Sequence, residues 1–329
     1  MDKIAKIAIV ASIIALAFTA CGEKKKVADP NGKINVVATI FPLYDFSRAI
    51  AKEQANITML TPPGSSIHSY EPSPGDIKNI QNADIFLYIG GENDAWVKRL
   101  LSALDTSNMK VVRLFDFVKL YEEEEKEGMQ AEEEESDPLH VEGESEHGKL
   151  EVEYDEHIWT SPKNAVVMLN AIRDVLCVKD SANCEKYKGN AQNYALQIEE
   201  AAKELSQIVS SAKRKQIVVA DRFPFLYLTK EYGLDYVAAF PGCSDQSDAS
   251  VATIAFLIKT VKDNKVPYIY HAELSNRNTA EAVAEQTGAK MLLLHSYHNV
   301  SKQEFESGTT YLDLLKQNSA NLKTGLLAE

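Results

Sequence analysis

Residues 184–215 read CEKYKGNAQNYALQIEEAAKELSQIVSSAKRK, and this stretch divides the 329-residue chain into two halves. Its apolar side chains recur at steps of mostly three and four residues, which is the spacing of an amphipathic helix. They are Tyr187, Ala191, Tyr194, Ala195, Ile198, Leu205, Ile208 and Val209. The spacing predicts one long helix over residues 184–213, long enough to act as a stiff connector.

Apolar, β-rich runs alternate with helical patterns on both sides of this helix. The candidate strands are Ile34–Ile40, Ile57–Leu60, Ile85–Ile89, Lys110–Leu114, Ile217–Ala220, Tyr236–Ala239, Tyr268–His271 and Lys290–Leu294. Four strands in each half predict an α/β protein of two lobes, residues 34–183 and 214–329. We expect each lobe to be a mostly parallel four-stranded sheet with flanking helices.

The first 33 residues have the pattern of an export signal followed by a tether. Lys3 and Lys6 precede an apolar run, Ile7–Ala20, that is too short to cross a bilayer of ~30 Å. We therefore expect a signal peptide over residues 1–20 and a polar tether over residues 21–33. Export would place the mature protein in an oxidising compartment.

The four cysteines suggest different roles. Phe18-Thr19-Ala20-Cys21 resembles a bacterial lipobox, which implies that Cys21 carries a lipid; the alternative is ordinary cleavage that leaves a free thiol. Cys177 and Cys184 lie seven residues apart across a turn-forming sequence, so a local disulfide is geometrically allowed but not required. Cys243 has no obvious partner.

The formal net charge of -13 comes from one segment. Residues 122–156 contain 17 acidic residues and two lysines, so the rest of the chain is nearly neutral. Without a basic surface, a nucleic-acid partner is not expected. The segment also carries His140 and His147 and is either a solvated acidic loop or a weak collector of divalent cations.

Several histidines follow predicted strands. His68 follows the second strand, His271 ends the seventh, and His295 and His298 follow the eighth. Ligands of open α/β sheets collect beyond the carboxyl ends of the strands, so these loops are candidates for a shared site.

His157 lies just before a helix start at Ser161-Pro162. Each imidazole ligand of a metal needs an acceptor for its other ring nitrogen. Glu71, Asp155 and Glu156 are near enough in sequence to be considered for that role.

Five segments carry a family resemblance that runs in order from about Ile34 to Asn318. They read GSSIHSYEPSPGDI, DEHIWTSPKNAV, VVADRFPFLYLTKEYGLDY, IYHAELSNRNTAEAVAEQTGAK and TTYLDLLKQN. Together they resemble the ZnuA-like and TroA-like solute-binding proteins, the zinc- and manganese-binding lipoproteins of bacterial ABC importers. The resemblance implies two lobes joined by a long helix, with one divalent ion in the cleft between them.

The resemblance also implies a ligand set. His68 matches the family's first ligand and His157 its second, both from the N-terminal lobe. Where the family has a histidine as third ligand, this chain has Asp221-Arg222. Asp221 would supply an oxygen or pair with Arg222 and ligate nothing, whereas an arginine stays protonated and cannot bind a cation.

The fourth ligand falls in the loop after the last strand. His298 is the first candidate there and His295 the second, with Glu273 as a further oxygen donor. A nitrogen-rich set of His68, His157 and His298 with one carboxylate suits Zn²⁺ better than the alternative, Mn²⁺.

The expected function is an extracytoplasmic, lipid-anchored and monomeric receptor that captures zinc and delivers it to the permease of an ABC importer. The alternative is a lipid-anchored adhesin or interaction protein that uses the acidic segment. A zinc hydrolase is not favoured, because the chain has no H-E-x-x-H or G-x-S-x-G motif. We therefore expect no enzyme activity.

Overall fold

The computed structural model describes residues 32–66, 70–130, 153–242, 244 and 248–328. All eight predicted strands are present, with ends that shift by at most two residues. They are β1 (Ile34–Ala38), β2 (Ala55–Met59), β3 (Ile85–Tyr88), β4 (Lys110–Arg113), β5 (Gln216–Arg222), β6 (Asp235–Phe240), β7 (Tyr268–His271) and β8 (Lys290–Leu293). The predicted α/β fold with two four-stranded sheets is confirmed.

The two sheets share one topology. Their strand orders are β2-β1-β3-β4 and β6-β5-β7-β8, and every strand pair within them is parallel. Because all strands of a parallel sheet end at the same edge, each lobe gathers its loops at one edge.

Ten α-helices form in the described part of the chain. They are α1 (Phe41–Ala51), α2 (Pro74–Gln81), α3 (Ala95–Ala103), α4 (Pro162–Lys179), α5 (Cys184–Ser210), α6 (Leu226–Tyr232), α7 (Val251–Asp263), α8 (Asn278–Thr287), α9 (Lys302–Ser307) and α10 (Tyr311–Leu327). The predicted start of α4 is correct, because the Ser161 side chain accepts the N–H of Asn164 and Pro162 is the first helical residue. No helix of the described residues is both long and apolar enough to cross a membrane.

Helix α5 is the long connector that the sequence predicts, and it ends at Ser210. At about 1.5 Å per residue it runs for roughly 40 Å. Tyr187 and Ile198 pack into the apolar core around β1 and β3, whereas Leu205 and Val209 pack into the core around β5 and β6. The buried face of α5 therefore contributes side chains to the cores of both lobes.

Helix α10 adds a second connection. Its first turns, with Tyr311 and Leu315, pack into the first core, and Leu322 and Leu326 pack into the second. The carboxylate of Asp45 in α1 is fully buried and joins these elements. Its Oδ2 accepts the Tyr194 hydroxyl at 2.6 Å and the Tyr311 N–H at 2.9 Å.

Both described ends of the acidic segment, residues 122–130 and 153–156, are held by contacts. Gln130 donates its N–H to Ala239 of β6 at 2.9 Å, and Lys126 pairs with Asp235 at 2.6 Å. An isolated antiparallel bridge between Glu122 and Tyr154 joins the two ends. Residues 122–130 are thus a strap on the C-terminal lobe rather than part of a free loop.

A disulfide between Cys177 and Cys184 joins the end of α4 to the start of α5. Cys21 and Cys243 lie outside the described residues, as do the predicted signal peptide and most of the tether.

Candidate metal site

A cavity of about 90 Å³ lies at the carboxyl ends of both sheets. Loops after β2, β6, β7 and β8, the end of β5 and the segment before α4 contribute to its wall. The lining residues are Gly64, Ser65, Ser66, His157, Arg222, Pro224, Gly242, Ala272, Glu273, Leu274, Ser296, His298 and Asn299. The two lobes therefore meet at the kind of edge where α/β proteins bind ligands.

His157 lines this cavity, and one of its ring nitrogens has a hydrogen-bond partner in the protein. The imidazole is fully buried, and its Nδ1 lies 3.2 Å from Oδ1 of Asp155, which also accepts the His157 backbone N–H at 2.8 Å. When Nδ1 donates its proton to this carboxylate, Nε2 keeps a free lone pair. Among the described residues, Nε2 of His157 has no hydrogen-bond partner.

The surroundings of His157 also change its proton affinity. Burial disfavours the charged imidazolium, but the charge and hydrogen bond of Asp155, with the charges of Glu156 and Glu123, outweigh burial and raise the pKa of His157 above 6.5. A more basic imidazole is also a stronger metal donor. Of the three acceptors considered from sequence, Asp155 therefore serves His157.

The other two acidic residues have different roles. Glu156 accepts the N–H of Asn93 at 2.7 Å and its side-chain amide at 2.8 Å, so its carboxylate ties the site to the loop after β3. Burial raises the pKa of Glu156 to about 7, against the Asn93 hydrogen bonds that lower it. Glu71 is exposed.

His298 is the C-terminal lobe's imidazole at the cavity. Its ring centre lies 5.1 Å from that of His157 and 4.9 Å from that of Trp159. The preceding residue, Tyr297, has a left-handed backbone with φ of 63° and a fully buried ring. This uncommon conformation for an aromatic residue turns the chain so that Ser296 and His298 line the cavity while the Tyr297 ring packs into the core.

His295, the second candidate, is placed differently. Its Nδ1 accepts the Tyr297 N–H at 2.9 Å, and its backbone is held by Asn318 at 2.7 Å in both directions. In the neutral ring, accepting at Nδ1 leaves the proton on Nε2, which then has no lone pair for a metal. His295 is buried and lies outside the cavity lining. The geometry favours His298 over His295.

Both carboxylate oxygens of Asp221 accept hydrogen bonds from backbone N–H groups. Its Oδ1 accepts the N–H of Arg222 at 2.8 Å and its Oδ2 accepts that of Ala272 at 3.0 Å, which ties the end of β5 to the end of β7. Asp221 does not belong to the lining, whereas Arg222 does. Asp221 thus contacts Arg222 through the backbone N–H, and its role as an oxygen ligand stays a prediction.

Glu273 lies in the cavity wall, and each of its oxygens accepts a hydrogen bond from Ser296. Oε2 accepts the N–H of Ser296 at 2.7 Å, and Oε1 accepts the Ser296 hydroxyl. Oε1 also lies 3.6 Å from Nδ1 of His295. The carboxylate therefore holds the loop that carries His298.

Two further contacts that sequence reasoning missed bring the lobes together. A Cβ atom on Gly242 would stand 3.2 Å from Cε1 of His157 and 3.2 Å from Oδ2 of Asp155, so only a glycine fits there without a shift. The indole N–H of Trp159 donates to the Ser296 carbonyl at 2.7 Å. The Phe240-Pro241-Gly242 turn after a strand was the only sequence signal for the first contact.

The loop before His68 is fixed to the other lobe. The Asn299 amide donates to the carbonyls of Pro62 at 2.7 Å and Ser65 at 2.8 Å, and the Gly64 N–H donates to Val300 at 2.8 Å. His68 itself, like His140 and His147, lies outside the described residues. Within the described residues, no three His, Cys, Asp or Glu side chains form a ready coordination shell.

Comparison with known proteins assigns this architecture. Residues 36–325 match the family described as "Zinc-uptake complex component A periplasmic", ZnuA. The chain belongs to the ZnuA family. Members of this family are solute-binding proteins rather than enzymes, in agreement with the expectation from sequence.

Individual relatives of the ZnuA family support the assignment. The chain is 32% identical over 316 residues to zinc-binding lipoprotein AdcA of Streptococcus pneumoniae, covering 96% of this chain and 60% of AdcA. It is 31% identical over 323 residues to the high-affinity zinc uptake system protein ZnuA of Bacillus subtilis, covering 96% of this chain and 97% of that protein. The chain thus spans about three fifths of the length of AdcA.

A solved structure shows the same fold. The Zn(II)-bound ZnuA-like domain of S. pneumoniae AdcA superposes with a TM-score of 0.72 at 28% identity, over 90% of this chain and 100% of that domain. The predicted two-lobed fold and the family resemblance are both confirmed.

Proposed function

We propose that this protein is an extracytoplasmic, lipid-anchored receptor that captures one divalent metal ion, preferentially Zn²⁺, and passes it to the membrane permease of an ABC importer. The observation that carries the proposal is the pair of imidazoles, His157 and His298, at the cavity between the two sheets. Nδ1 of His157 is turned to Asp155, which leaves its Nε2 for a metal. The zinc-binding names of the family's relatives point the same way.

We assign the metal ligands to His157 and His298, with His68 as a third. Support for His68 comes from Ser65 and Ser66, which precede it and line the cavity. Asp221 and Glu273 are assigned supporting roles, because backbone N–H groups and Ser296 engage their oxygens. Imidazole-rich sites suit Zn²⁺, whereas Mn²⁺ is better served by carboxylate and water oxygens.

The rest of the proposal follows the sequence. Cleavage after Ala20 and lipidation of Cys21 would hold the receptor at the membrane, where it would act as a monomer beside the permease. Residues 34–183 and 214–329 would be the two lobes, with residues 184–213 between them and the start of α10 packed on the first lobe. Neither the family nor the cavity favours the adhesin alternative.

Zinc titration of the metal-free mature protein tests the proposal. We expect one tight Zn²⁺ site, weaker binding of Mn²⁺, and a rise in melting temperature with zinc, since a ligand that binds only the folded state stabilises it. His157→Ala and His298→Ala should each weaken zinc binding at least tenfold. The matched control is His271→Ala, because Nδ1 of His271 donates to the Ala272 carbonyl at 2.9 Å and His271 lies outside the cavity. Absence of any zinc-dependent stabilisation would refute the proposal.

A deletion separates the receptor from an adhesin that uses the acidic segment. Residues 131–152 are replaced by a glycine-serine linker, and the strap 122–130 is kept because it packs on the C-terminal lobe. The receptor should keep its zinc affinity within about threefold. A loss of the tight site would instead place metal binding in the acidic segment.

A further inference from the structure

Arg222 stands in the cavity wall where the metal is proposed to bind. It ends β5, and Asp221 beside it is anchored to two backbone N–H groups, so the arginine side chain is the one that the strand end presents to the cavity. A guanidinium keeps its positive charge at any physiological pH and can only donate hydrogen bonds.

The guanidinium has unused donors. Among the described residues, its one hydrogen bond runs from Nη1 to the Ser244 carbonyl at 3.4 Å, which is long. No ion pair within the described part of the chain includes Arg222. An arginine offers five N–H donors in a planar fork, so most of those of Arg222 have no acceptor among the described residues.

The carboxylates nearby keep their negative charge, but within the described residues none of them forms an ion pair with Arg222. Glu273 accepts hydrogen bonds from Ser296, and Asp221 accepts them from the N–H groups of Arg222 and Ala272. Asp155 accepts from His157. A bare divalent cation brought to His157 and His298 would therefore meet a fixed positive charge in the same cavity.

We infer that Arg222 binds a small planar oxyanion, a carboxylate or bicarbonate, which shares the cavity with the metal and completes its coordination. One oxygen of the anion would bind the metal and the other would accept from the guanidinium fork, a geometry that arginine recognises well. The cavity volume of about 90 Å³ is several times the ~10–15 Å³ that one water molecule requires. That space admits a metal ion with a small anion.

The inference rests on the proposed function and deepens it, because the captured species becomes a metal together with an oxyanion. The charge of the anion would offset that of Arg222, so metal and anion should bind cooperatively. By linkage, the anion should raise zinc affinity by the same factor as zinc raises anion affinity.

The test is zinc titration of the metal-free mature protein in a non-coordinating buffer purged of carbon dioxide. Parallel titrations contain sodium bicarbonate, sodium acetate or, for ionic strength alone, sodium perchlorate. We expect bicarbonate or acetate to raise zinc affinity at least tenfold over perchlorate. A gain with bicarbonate alone identifies carbonate as the anion, and a gain with both identifies carboxylates in general.

Substitutions locate the effect. Arg222→Gln should abolish the dependence on anion while the thermal melt shows a folded protein, and Arg222→Lys should keep only part of it. Arg99→Gln, at an exposed position on α3, is the matched control and should behave as wild type. As a direct readout, the ¹³C resonance of labelled bicarbonate should broaden or shift with zinc-loaded wild type and not with the Arg222→Gln variant.

The outcomes are distinct. Tight zinc binding by wild type with no dependence on anion overturns the inference and leaves the proposed function standing. An anion dependence that persists in Arg222→Gln overturns the role of Arg222. Absence of zinc binding in every buffer overturns the inference and the proposed function together.

Discussion

The imidazole rings of His157 and His298 stand 5.1 Å apart, centre to centre, at an angle of 79°. One precedes α4 and the other follows β8, so the pair exists only because the two sheets direct their carboxyl ends at the same cavity. Hydrogen bonds position both rings. Asp155 contacts Nδ1 of His157, and Glu273 accepts the Ser296 N–H in the loop that carries His298. Substitutions of the residues that position these rings, and of residues in the helices that join the lobes, test this arrangement.

Asp155→Asn should weaken zinc binding by about 10–100-fold, because the substitution removes the charge that orients His157 and makes its imidazole more basic. The measurement is a zinc titration against a competing chelator. Asp174→Asn is the control, since the side chain of Asp174 is 67% exposed and, among the described residues, pairs with Arg173. Equal affinities for Asp155→Asn and wild type would contradict a supporting role of Asp155 in metal binding by His157.

Gly242→Ala should lower the free energy of unfolding by about 1–3 kcal/mol, because the added Cβ would stand 3.0 Å from the Phe223 carbonyl and 3.2 Å from the His157 ring. Zinc affinity should fall as well, since His157 must shift. Gly189→Ala on exposed α5 meets nothing within 4 Å and should instead stabilise the protein by about 0.5–1 kcal/mol. Urea unfolding of both variants measures the two changes in the free energy of unfolding, which should have opposite signs. A Gly242→Ala variant as stable as wild type would contradict the close approach of Gly242 to His157.

Tyr194→Phe should lower the free energy of unfolding by about 1–3 kcal/mol, because the buried Asp45 loses a hydroxyl donor and the Leu312 N–H loses an acceptor. Both contacts link α5 to elements of the first lobe and to α10. Tyr154→Phe, whose ring is 40% exposed, should change stability by less than about 0.5 kcal/mol. Thermal and urea unfolding provide the comparison, and similar values for the two variants would argue against a structural role for Asp45.

The pH dependence of stability should contain a contribution from Asp94. Burial raises the pKa of Asp94 from 3.8 to about 6, against the N–H groups of Gly90 and Ile89 that favour the charged form. The folded state therefore retains a proton that the unfolded state has lost, so this stabilising contribution is complete below about pH 4 and disappears as the pH rises through about 6.

Asp94→Asn should remove that contribution. Between pH 4 and 7, the free energy of unfolding of wild type should fall relative to the variant by on the order of 1–2 kcal/mol, after allowance for solvent screening at a partly exposed site. Urea unfolding at several pH values measures the difference, which separates Asp94 from fully buried acids such as Asp45. Parallel pH profiles would contradict the raised pKa.

Much of the fold follows from local pattern. The β-rich runs and the apolar stripe of residues 187–209 predict eight strands and the connecting helix, because burial on a sheet or on one helix face imposes its own period on the sequence. The same patterns place His157 before a helix and His298 after a strand. Sequence by itself thus determined the fold class, the family and the loops in which a metal site should lie.

The tertiary structure decided which side chains in those loops reach the cavity. Asp221 and Arg222 are neighbours, yet the aspartate is used by the N–H groups of Arg222 and Ala272 and the arginine lines the wall. His295 and His298 are separated by two residues, and the left-handed backbone of Tyr297 lies between them. Orientation of this kind depends on hydrogen-bond partners and close approaches from distant parts of the chain, such as Gly242 against His157, and no local period in the sequence encodes them.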